Sequence, residues 1–289
     1  MSETVTAIIV TYNRLHFLKE ILPAVQNQTR KPDAIIVVNN NSSDGTTEWL
    51  KGQNSVTVIN QDNVGSSGGQ YTGFKRAFEL GMDWVWTMDD DVVPAGSCLE
   101  KLLSGDKKTL IRTPLRFTPA GKVYLNDCIK FNLTNPFKSF WVRIIDETDI
   151  RQKLIYADGI TFEGPLIHRS VIEKIGFPEF GFFIYGDDSE YFIRASKAGF
   201  NPVIYKDAIL NRKLEIVPEE LNFSWKYFYV VRNIVALDVL HGNLLVRIIR
   251  PIAYLLKFIV KCKSFAQMKI TFKAFFRGYF YKSKNDKLY

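Results

Sequence analysis

Along the first ninety residues, short apolar runs alternate with longer amphipathic ones. Thr4–Val10 (TVTAIIV), Ala34–Val38 (AIIVV), Val56–Asn60 and Trp84–Met88 (WVWTM) are β-branched or aromatic and too short for helices. They predict strands, and the unbroken apolar runs suit strands buried on both faces. Between them, Leu15–Gln26 and Thr46–Lys51 show helical spacing, and Gly65–Gly69 opens a helix running to about Leu80. Lys31-Pro32-Asp33 breaks the first helix. Strand–helix alternation at this spacing predicts an α/β fold with a mostly parallel sheet flanked by helices. Each predicted strand ends in polar or small residues: Thr11-Tyr12-Asn13-Arg14, then Asn39 to Gly45, then Asp89-Asp90-Asp91. The carboxyl ends of such strands are where this architecture binds ligands.

The remainder of the chain is less regular. Residues 106–160 lack a clean period and are expected to add strands and loops to the same sheet. Leu166-Ile167 reads as a strand, Ser170–Ile175 as a helix stopped by Gly176, and Asp187-Asp188-Ser189-Glu190 as the start of a helix ending before Gly199. Val203–Tyr205 and Ala208–Leu210 read as two short strands. From about Trp225 the chain reads as helices. Arg247, Arg250, Lys257 and Lys261 fall within roughly 80° of one another at the helical step, with Leu, Ile, Val, Phe and Tyr between them. No window of about 18 residues is free of charge, which disfavours a spanning helix. The pattern predicts a basic amphipathic region lying in a membrane surface. Packing of that face on the body or on a second subunit is the alternative.

Composition sharpens this division. The chain has 289 residues, 46% of them hydrophobic, and a net charge of +8. That is enough to bury a full core, and the expected organisation is a main α/β domain over residues 1–215 with a helical C-terminal appendage over 216–289. Residues 244–289 hold 11 Lys/Arg against the single acid Asp286, so the rest of the chain is slightly acidic. A nucleic-acid-binding body is disfavoured, because its electrostatic footprint would have to lie in the tail alone. The three cysteines, Cys98, Cys128 and Cys262, are too scattered for a disulfide framework or a cysteine zinc site, which points to a reducing compartment. The start, MSETVTAIIVTYN, lacks the basic-then-apolar order of a signal peptide. The expected location is cytoplasmic, peripheral on the inner face of the cell membrane.

Asp89-Asp90-Asp91 carries the strongest chemical signal. Three adjacent carboxylates repel one another and are costly to hold together unless a cation neutralises them. In extended backbone Asp89 and Asp91 would share a face, making a hard-cation pair suited to Mg²⁺ or Mn²⁺ bearing phosphate oxygens. An acidic turn capping the next helix is the alternative.

TAIIVTYNR and VVNNNSSDGT, within Thr4–Asp44, resemble the opening of the family 2 glycosyltransferases of the GT-A fold. Asn63–Gly69, the acidic run, Tyr185–Tyr191, Trp225–Tyr229 and Arg232-Asn233 extend the resemblance over roughly residues 4–235. It is nearest to bacterial galactofuranosyl- and rhamnosyltransferase-like enzymes of surface polysaccharide synthesis. It implies a nucleotide-sugar donor, a divalent cation (Mn²⁺ or Mg²⁺), a glycan or lipid-linked acceptor, and inversion at the transferred anomeric carbon.

Carried residue by residue, the resemblance makes Asp89 and Asp91 the metal pair and aligns Asn211 with the usual histidine ligand. Asp188 becomes the base for the acceptor hydroxyl, with capping of the helix as its other reading and Asp187 the expected cap. Thr11, Asn13, Asn39 and Asn40 can bond a pyrimidine and ribose, or simply shape turns. An Asn stands at 39 and 40 where the family often has an aspartate. Gly65, Gly68 and Gly69 would let backbone approach the nucleotide, with Asp89 and Asp90 beside it. Glu163, Gly164, Tyr185 and Asp187 are expected on the acceptor side, and Asp44 in a structural turn. The best-fitting donor is UDP-galactofuranose, with rhamnosyl or other hexosyl transfer behind it. A sugar nucleotidyltransferase and a non-catalytic membrane scaffold remain as other classes, and self-association is left open.

Overall fold

The computed structural model of the chain describes residues 3–215 and 223–284. The elements begin β1 (Val5–Thr11), α1 (Leu15–Gln26), β2 (Ala34–Asn39), α2 (Thr46–Lys51), β3 (Thr57–Asn60), α3 (Gly65–Glu79) and β4 (Trp84–Asp89). Next come β5 (Val92–Pro94), α4 (Cys98–Leu103), β6 (Ile111–Phe117), β7 (Cys128–Phe131), β8 (Trp141–Ile144), α5 (Glu147–Ile150) and β9 (Ile155–Tyr156). The chain ends through β10 (Leu166–His168), α6 (Arg169–Ile175), a 3-10 turn at Phe180–Phe182, α7 (Asp187–Lys197), β11 (Val203–Arg212), α8 (Tyr227–His241), α9 (Leu244–Ile259) and α10 (Phe265–Tyr279).

A nine-stranded sheet is ordered β3-β2-β1-β4-β10-β6-β11-β5, with β9 also on β11. Strands β3, β2, β1 and β4 are parallel, β10 runs antiparallel between β4 and β6, and β11 is parallel to β6. The sheet is therefore parallel in its N-terminal half and mixed beyond it. Strand order reverses between β1 and β4, so Thr11 and Asp89 end adjacent strands at the switch point. A cleft is expected there.

Both faces of the sheet are covered. Leu18, Ile21, Leu22 and Val25 of α1 pack with Leu99 and Leu102 of α4 against Trp84, Trp86 and Met88. On the other face, Phe74 and Ala77 of α3 and Tyr191 and Phe192 of α7 pack on Ile8, Ile36 and Val85. Helix α3 lies close to β1 because its contact face is glycine: a Cβ on Gly69 would stand 2.4 Å from Val10 Cγ1, and one on Gly73 2.4 Å from Ile8 Cγ2.

Two departures come from the middle and end of the body. Only β6 and β9 of residues 106–160 join the main sheet, while β7 and β8 form a separate two-stranded sheet. The two short strands expected at 203–210 are one strand, β11, with an irregular register between Tyr205 and Ile209.

Helix α8 is a middle layer. Ala236 and Leu237 pack on Phe182 and Ile193 of the body, whereas Val231 and Val235 pack on Phe258 of α9 and Ala274 and Phe275 of α10. Arg250 does not belong to a solvated basic stripe as the helical wheel predicts. It is 2% exposed, its Nε donates to Asp238 Oδ2 at 2.8 Å, and its Nη2 donates to the Asn132 carbonyl at 2.8 Å. A wheel cannot register that α8 supplies a buried carboxylate to the inner side of α9. The boundary expected at 215/216 adjoins residues 216–222, and with Asp286 these lie outside the described residues.

Candidate active site

Two clefts open at the carboxyl ends of the central strands. The larger, about 670 Å³, is bordered by Thr11, Tyr12 and Arg14 after β1, by Asn40, by Gly65, and by the acidic run. Phe183, Ile184, Trp225, Lys226 and Tyr229 close its far wall. The smaller, about 130 Å³, is lined by Gln70, Asp89, Glu163, Asp187 and Asp188, with Thr161 and Phe162. Ser66 and Asp89 line both. Asp89 therefore stands where the two spaces meet.

The acidic run is not one extended strand. Asp89 ends β4, whereas Asp90 and Asp91 form the turn into β5, so strand alternation does not govern their direction. Asp90 is buried and fully engaged: Thr11 Oγ1 donates to its Oδ2 at 2.7 Å and Arg14 Nη1 to its Oδ1 at 2.9 Å. The same Arg14 nitrogen donates to Asp91 Oδ2 at 2.8 Å. Among the described residues Asp89 accepts only from Gln70 Nε2, at 3.3 Å. Burial raises the Asp89 pKa well above the carboxylate range, and the charges of Asp91, Glu163, Asp90 and Asp187 raise it further.

Among the described residues, no group of three His, Cys, Asp or Glu side chains is arranged to hold a metal ion. The chain nonetheless offers an enclosed carboxylate surrounded by four like charges. That environment suits a hard cation whose remaining ligands are phosphate or water oxygens. Asn211 is exposed on β11, opposite Val93 of β5, two residues beyond Asp91.

Glu163 is buried between Arg212, whose Nε lies 3.0 Å from Oε2, and Arg116, 3.6 Å away. Burial pushes its pKa up against the pull of both arginines. Burial likewise raises Asp187 to about 7, with Asp188 as the next cause, and Asp188 to about 6, against the lowering pull of the Ser189 amide. Both acids open α7 after Gly186, which caps through backbone alone. The Ser189 amide donates to Asp188 Oδ1 at 2.5 Å, and the backbone amides of Asp187 and Asp188 act on the Asp187 carboxyl, so both acids meet first-turn donors. The Ser189 side chain also hydrogen-bonds the Asp188 carboxylate and pulls its pKa down.

The loop before α7 is strained and clamped. Phe183 has φ 65° and ψ −61°, and the Ile184 amide donates to the Phe182 carbonyl at 2.8 Å, making a γ-turn. Tyr185 follows with φ 73°. Such backbone persists only where its surroundings enforce it. Asn233 of α8, fully buried, donates through Nδ2 to the carbonyls of Phe182, Ile184 and Tyr185 at 3.0, 2.9 and 2.7 Å. Arg232 Nη2 donates to those of Gly181 and Phe182 at 2.9 and 2.6 Å.

The other expected contacts divide. Asn40 and Gly65 border the larger cleft, and Asn40 Nδ2 donates to the Gly65 carbonyl at 3.0 Å. Asn39 is turned away: its amide donates to Thr47 Oγ1 and Asn60 Oδ1, both at 2.9 Å, and its Oδ1 accepts from Ser42. Asn13 accepts from the Ser43 amide at 2.7 Å, tying two loops together. Asp44 accepts from the Leu15 amide at 2.8 Å, a structural turn as expected. Gly65 makes room for the Phe183 carbonyl, and Gly68 and Gly69 for Val64 and Val10, so the protein's own atoms make the close approaches. The Gly164 carbonyl accepts from Trp86 Nε1 at 3.0 Å. Tyr185 is 40% exposed beside the clamped turn. Sequence reasoning did not single out Arg14, Ser66, Gln70 or the Phe183–Ile184 wall. Arg14 lies inside the TYNR motif, but nothing in its spacing shows that it meets carboxylates far along the chain.

Residues 6–176 match the family described as Glycosyl transferase family 2. Galactofuranosyltransferase GlfT1 of Mycolicibacterium smegmatis is 29% identical over 213 residues, spanning 68% of this chain and 67% of that protein. Galactofuranosyltransferase GlfT1 of Mycobacterium tuberculosis is 28% identical, spanning 69% of this chain and 66% of its own length. The chain thus spans about two thirds of these relatives. A crystal structure of GalNAc-T7 with UDP, GalNAc and Mn²⁺ superposes with a TM-score of 0.62 at 14% identity, covering 82% of this chain and 48% of that one. This last likeness is one of fold.

Proposed function

The chain belongs to glycosyl transferase family 2, and from that premise we propose that it transfers galactofuranose from UDP-galactofuranose to a glycan or lipid-linked acceptor, with inversion. One observation carries the reading: a roomy cleft and a small acidic one meet at Asp89. The larger takes the nucleotide, with Tyr12 at its rim and Asn40 on its floor. The smaller takes the acceptor hydroxyl beside Asp188. The sugar rests on the galactofuranosyltransferases at 28–29% identity, and the uridine diphosphate on the UDP-bound neighbour as well.

Asp89 and Asp91 would hold a divalent cation, which when bound supplies positive charge to the departing diphosphate. Asp188 accepts the proton of the acceptor hydroxyl as that oxygen attacks the anomeric carbon from the side opposite the diphosphate. Its raised pKa makes it a stronger base than an ordinary carboxylate while leaving it ionised at neutral pH. Gln70 holds Asp89, and Asn233 holds the turn that aims α7 at the cleft.

We also place the protein on the inner face of the cell membrane through α9 and α10. Ile248, Ile252, Leu256 and Val260 are exposed apolar side chains along and just past α9, and Phe272, Phe276 and Phe280 along and just past α10. From Leu244 to Lys284 the chain has no acidic residue. Among the described residues no helix is long and apolar enough to cross a membrane.

The test is a donor panel. Purified protein with Mn²⁺ or Mg²⁺, given UDP-galactofuranose and a galactofuranoside acceptor, should release UDP and form an inverted linkage. UDP-galactopyranose and dTDP-rhamnose should not replace that donor. Efficient transfer from dTDP-rhamnose alone would overturn the sugar assignment, and thermal stabilisation by none of these nucleotide sugars would overturn the reading itself.

A further inference from the structure

We propose that Arg14 binds the donor's diphosphate, passing from Asp91 to the phosphate oxygens while it stays anchored on Asp90. This rests on the donor reading above and assigns a residue to the diphosphate itself. Arg14 Nη1 donates to Asp90 Oδ1 at 2.9 Å and to Asp91 Oδ2 at 2.8 Å. Its Nε and Nη2 make no hydrogen bond among the described residues. The side chain is 40% exposed and borders the larger cleft. The Nη1 end of the five-donor fork, with two of its N–H groups, is therefore anchored, and the three N–H groups of Nε and Nη2 remain for the space where a nucleotide would lie. A guanidinium presents donors in the spacing that phosphate oxygens accept in pairs.

Charge balance points the same way. The larger cleft is bordered by Asp89, Asp90 and Asp91 against Arg14 and Lys226. A diphosphate entering that field is repelled unless cations face it, and Arg14 stands directly on the acidic turn. The two acids it holds are not equivalent. Asp90 also accepts from Thr11 Oγ1 and is 3% exposed, so it remains satisfied in place. Asp91 has Arg14 as its only recorded ion-pair partner among the described residues, and releasing it frees a carboxylate for a cation. Arg14 and a divalent ion thus compete for Asp91, and a diphosphate that takes the guanidinium resolves the competition. Donor and cation should bind with positive coupling.

The test uses Arg14→Gln and Arg14→Lys in the full chain. Calorimetric titration with UDP and with uridine, in Mg²⁺, separates phosphate contacts from base contacts, and paramagnetic resonance measures binding of Mn²⁺ alone. Arg14→Gln is expected to weaken UDP by roughly 10–100-fold while leaving uridine unchanged, and to tighten Mn²⁺ alone by several-fold. Arg14→Lys should fall between, since a point charge replaces the fork. Equal weakening of UDP and uridine, or Mn²⁺ affinity that does not change, would show a purely structural ion pair and overturn the proposal. Wild-type protein that binds no UDP would bring down the donor reading as well.

Discussion

Asn233 donates its side-chain amide to the carbonyl of Tyr185 at 2.7 Å, joining the middle helix of the C-terminal layer to the turn that begins α7. Through Phe182 and Ile184 the same nitrogen grips three successive bends of one loop. The C-terminal helices are thus part of how the acidic pair is placed. Asn233→Ala removes the donor and leaves buried carbonyls unsatisfied, at a cost of about 1–3 kcal/mol. Release of a turn strained at Phe183 and Tyr185 should also displace Asp188. A shift near 1 Å is worth roughly 10²-fold in turnover. The expected result is a lower melting temperature and a kcat down by about that factor, with the donor KM raised as well because Phe183 and Ile184 wall the larger cleft. An unchanged kcat in a folded variant would remove Asn233 from this role.

For Asp188 the substitution is Asn, which keeps shape but cannot accept the proton. Turnover should fall by roughly 10²–10⁴ with donor affinity intact. In the wild type the rate should rise with pH up to about 6, where Asp188 ionises, and then level off. Asp187, raised to about 7, makes the pair release its protons in two steps.

Stability runs the other way. A carboxyl whose folded pKa lies above its unfolded value binds its proton more tightly when folded. Its contribution therefore falls as pH rises through the window from about 4 to about 6. Asp188→Asn should accordingly raise the melting temperature at pH 7.5 while activity is lost. A variant both inactive and destabilised there would indicate a structural carboxylate.

Gly65 and Gly81 offer a matched pair, with φ of 79° and 77°. A Cβ on Gly81 meets nothing within 4 Å, whereas one on Gly65 would stand 1.9 Å from the Phe183 carbonyl oxygen. Gly81→Ala should cost only the left-handed backbone term, about 1 kcal/mol, with full activity. Gly65→Ala must also push the Phe183 turn away, so UDP affinity and turnover should both drop. Calorimetry and UDP titration on the two variants separate backbone strain from loop displacement. Equal effects would mean that the Gly65 contact is immaterial.

The N-terminal half was legible because β1, β2 and β4 are buried on both faces and therefore unbroken in sequence, while β3 at the sheet edge is short and half-exposed. The gathering of polar residues at their carboxyl ends followed from the same pattern. Residues 106–160 were not legible because the chain leaves the sheet to form β7 and β8, whose outer faces stay exposed. Within the site, residue type located Asp89, Asp187 and Asp188 but could not say which amides would be spent internally. Asn39 and Asn40 are neighbours with the same side chain and both are spent internally, Asn39 on Thr47 and Asn60 and Asn40 on the Gly65 carbonyl and Gln61, although Asn40 alone of the two borders the cleft. Arg14 and Arg250 were misplaced or overlooked because their partners arrive through tertiary folding.

Arg250 gives the C-terminal layer its sharpest test. It sits on the same helix as exposed apolar side chains but faces inward, paired with Asp238 at 2.5 Å. Arg250→Ala strands a buried carboxylate and should cost about 3–5 kcal/mol. Ile252→Asp with Leu256→Asp places charge on exposed positions and should leave the melting temperature nearly unchanged. Vesicle binding should show the reverse order. The double aspartate variant should no longer sediment with vesicles of phosphatidylcholine and phosphatidylglycerol, and Lys257→Glu should bind them more weakly by about 1 kcal/mol per charge removed. High salt should weaken the wild type in the same direction, since the cations act through a screened field. If these apolar side chains instead join two copies of the chain, wild type will elute as a dimer, the double variant as a monomer, and neither will sediment with vesicles.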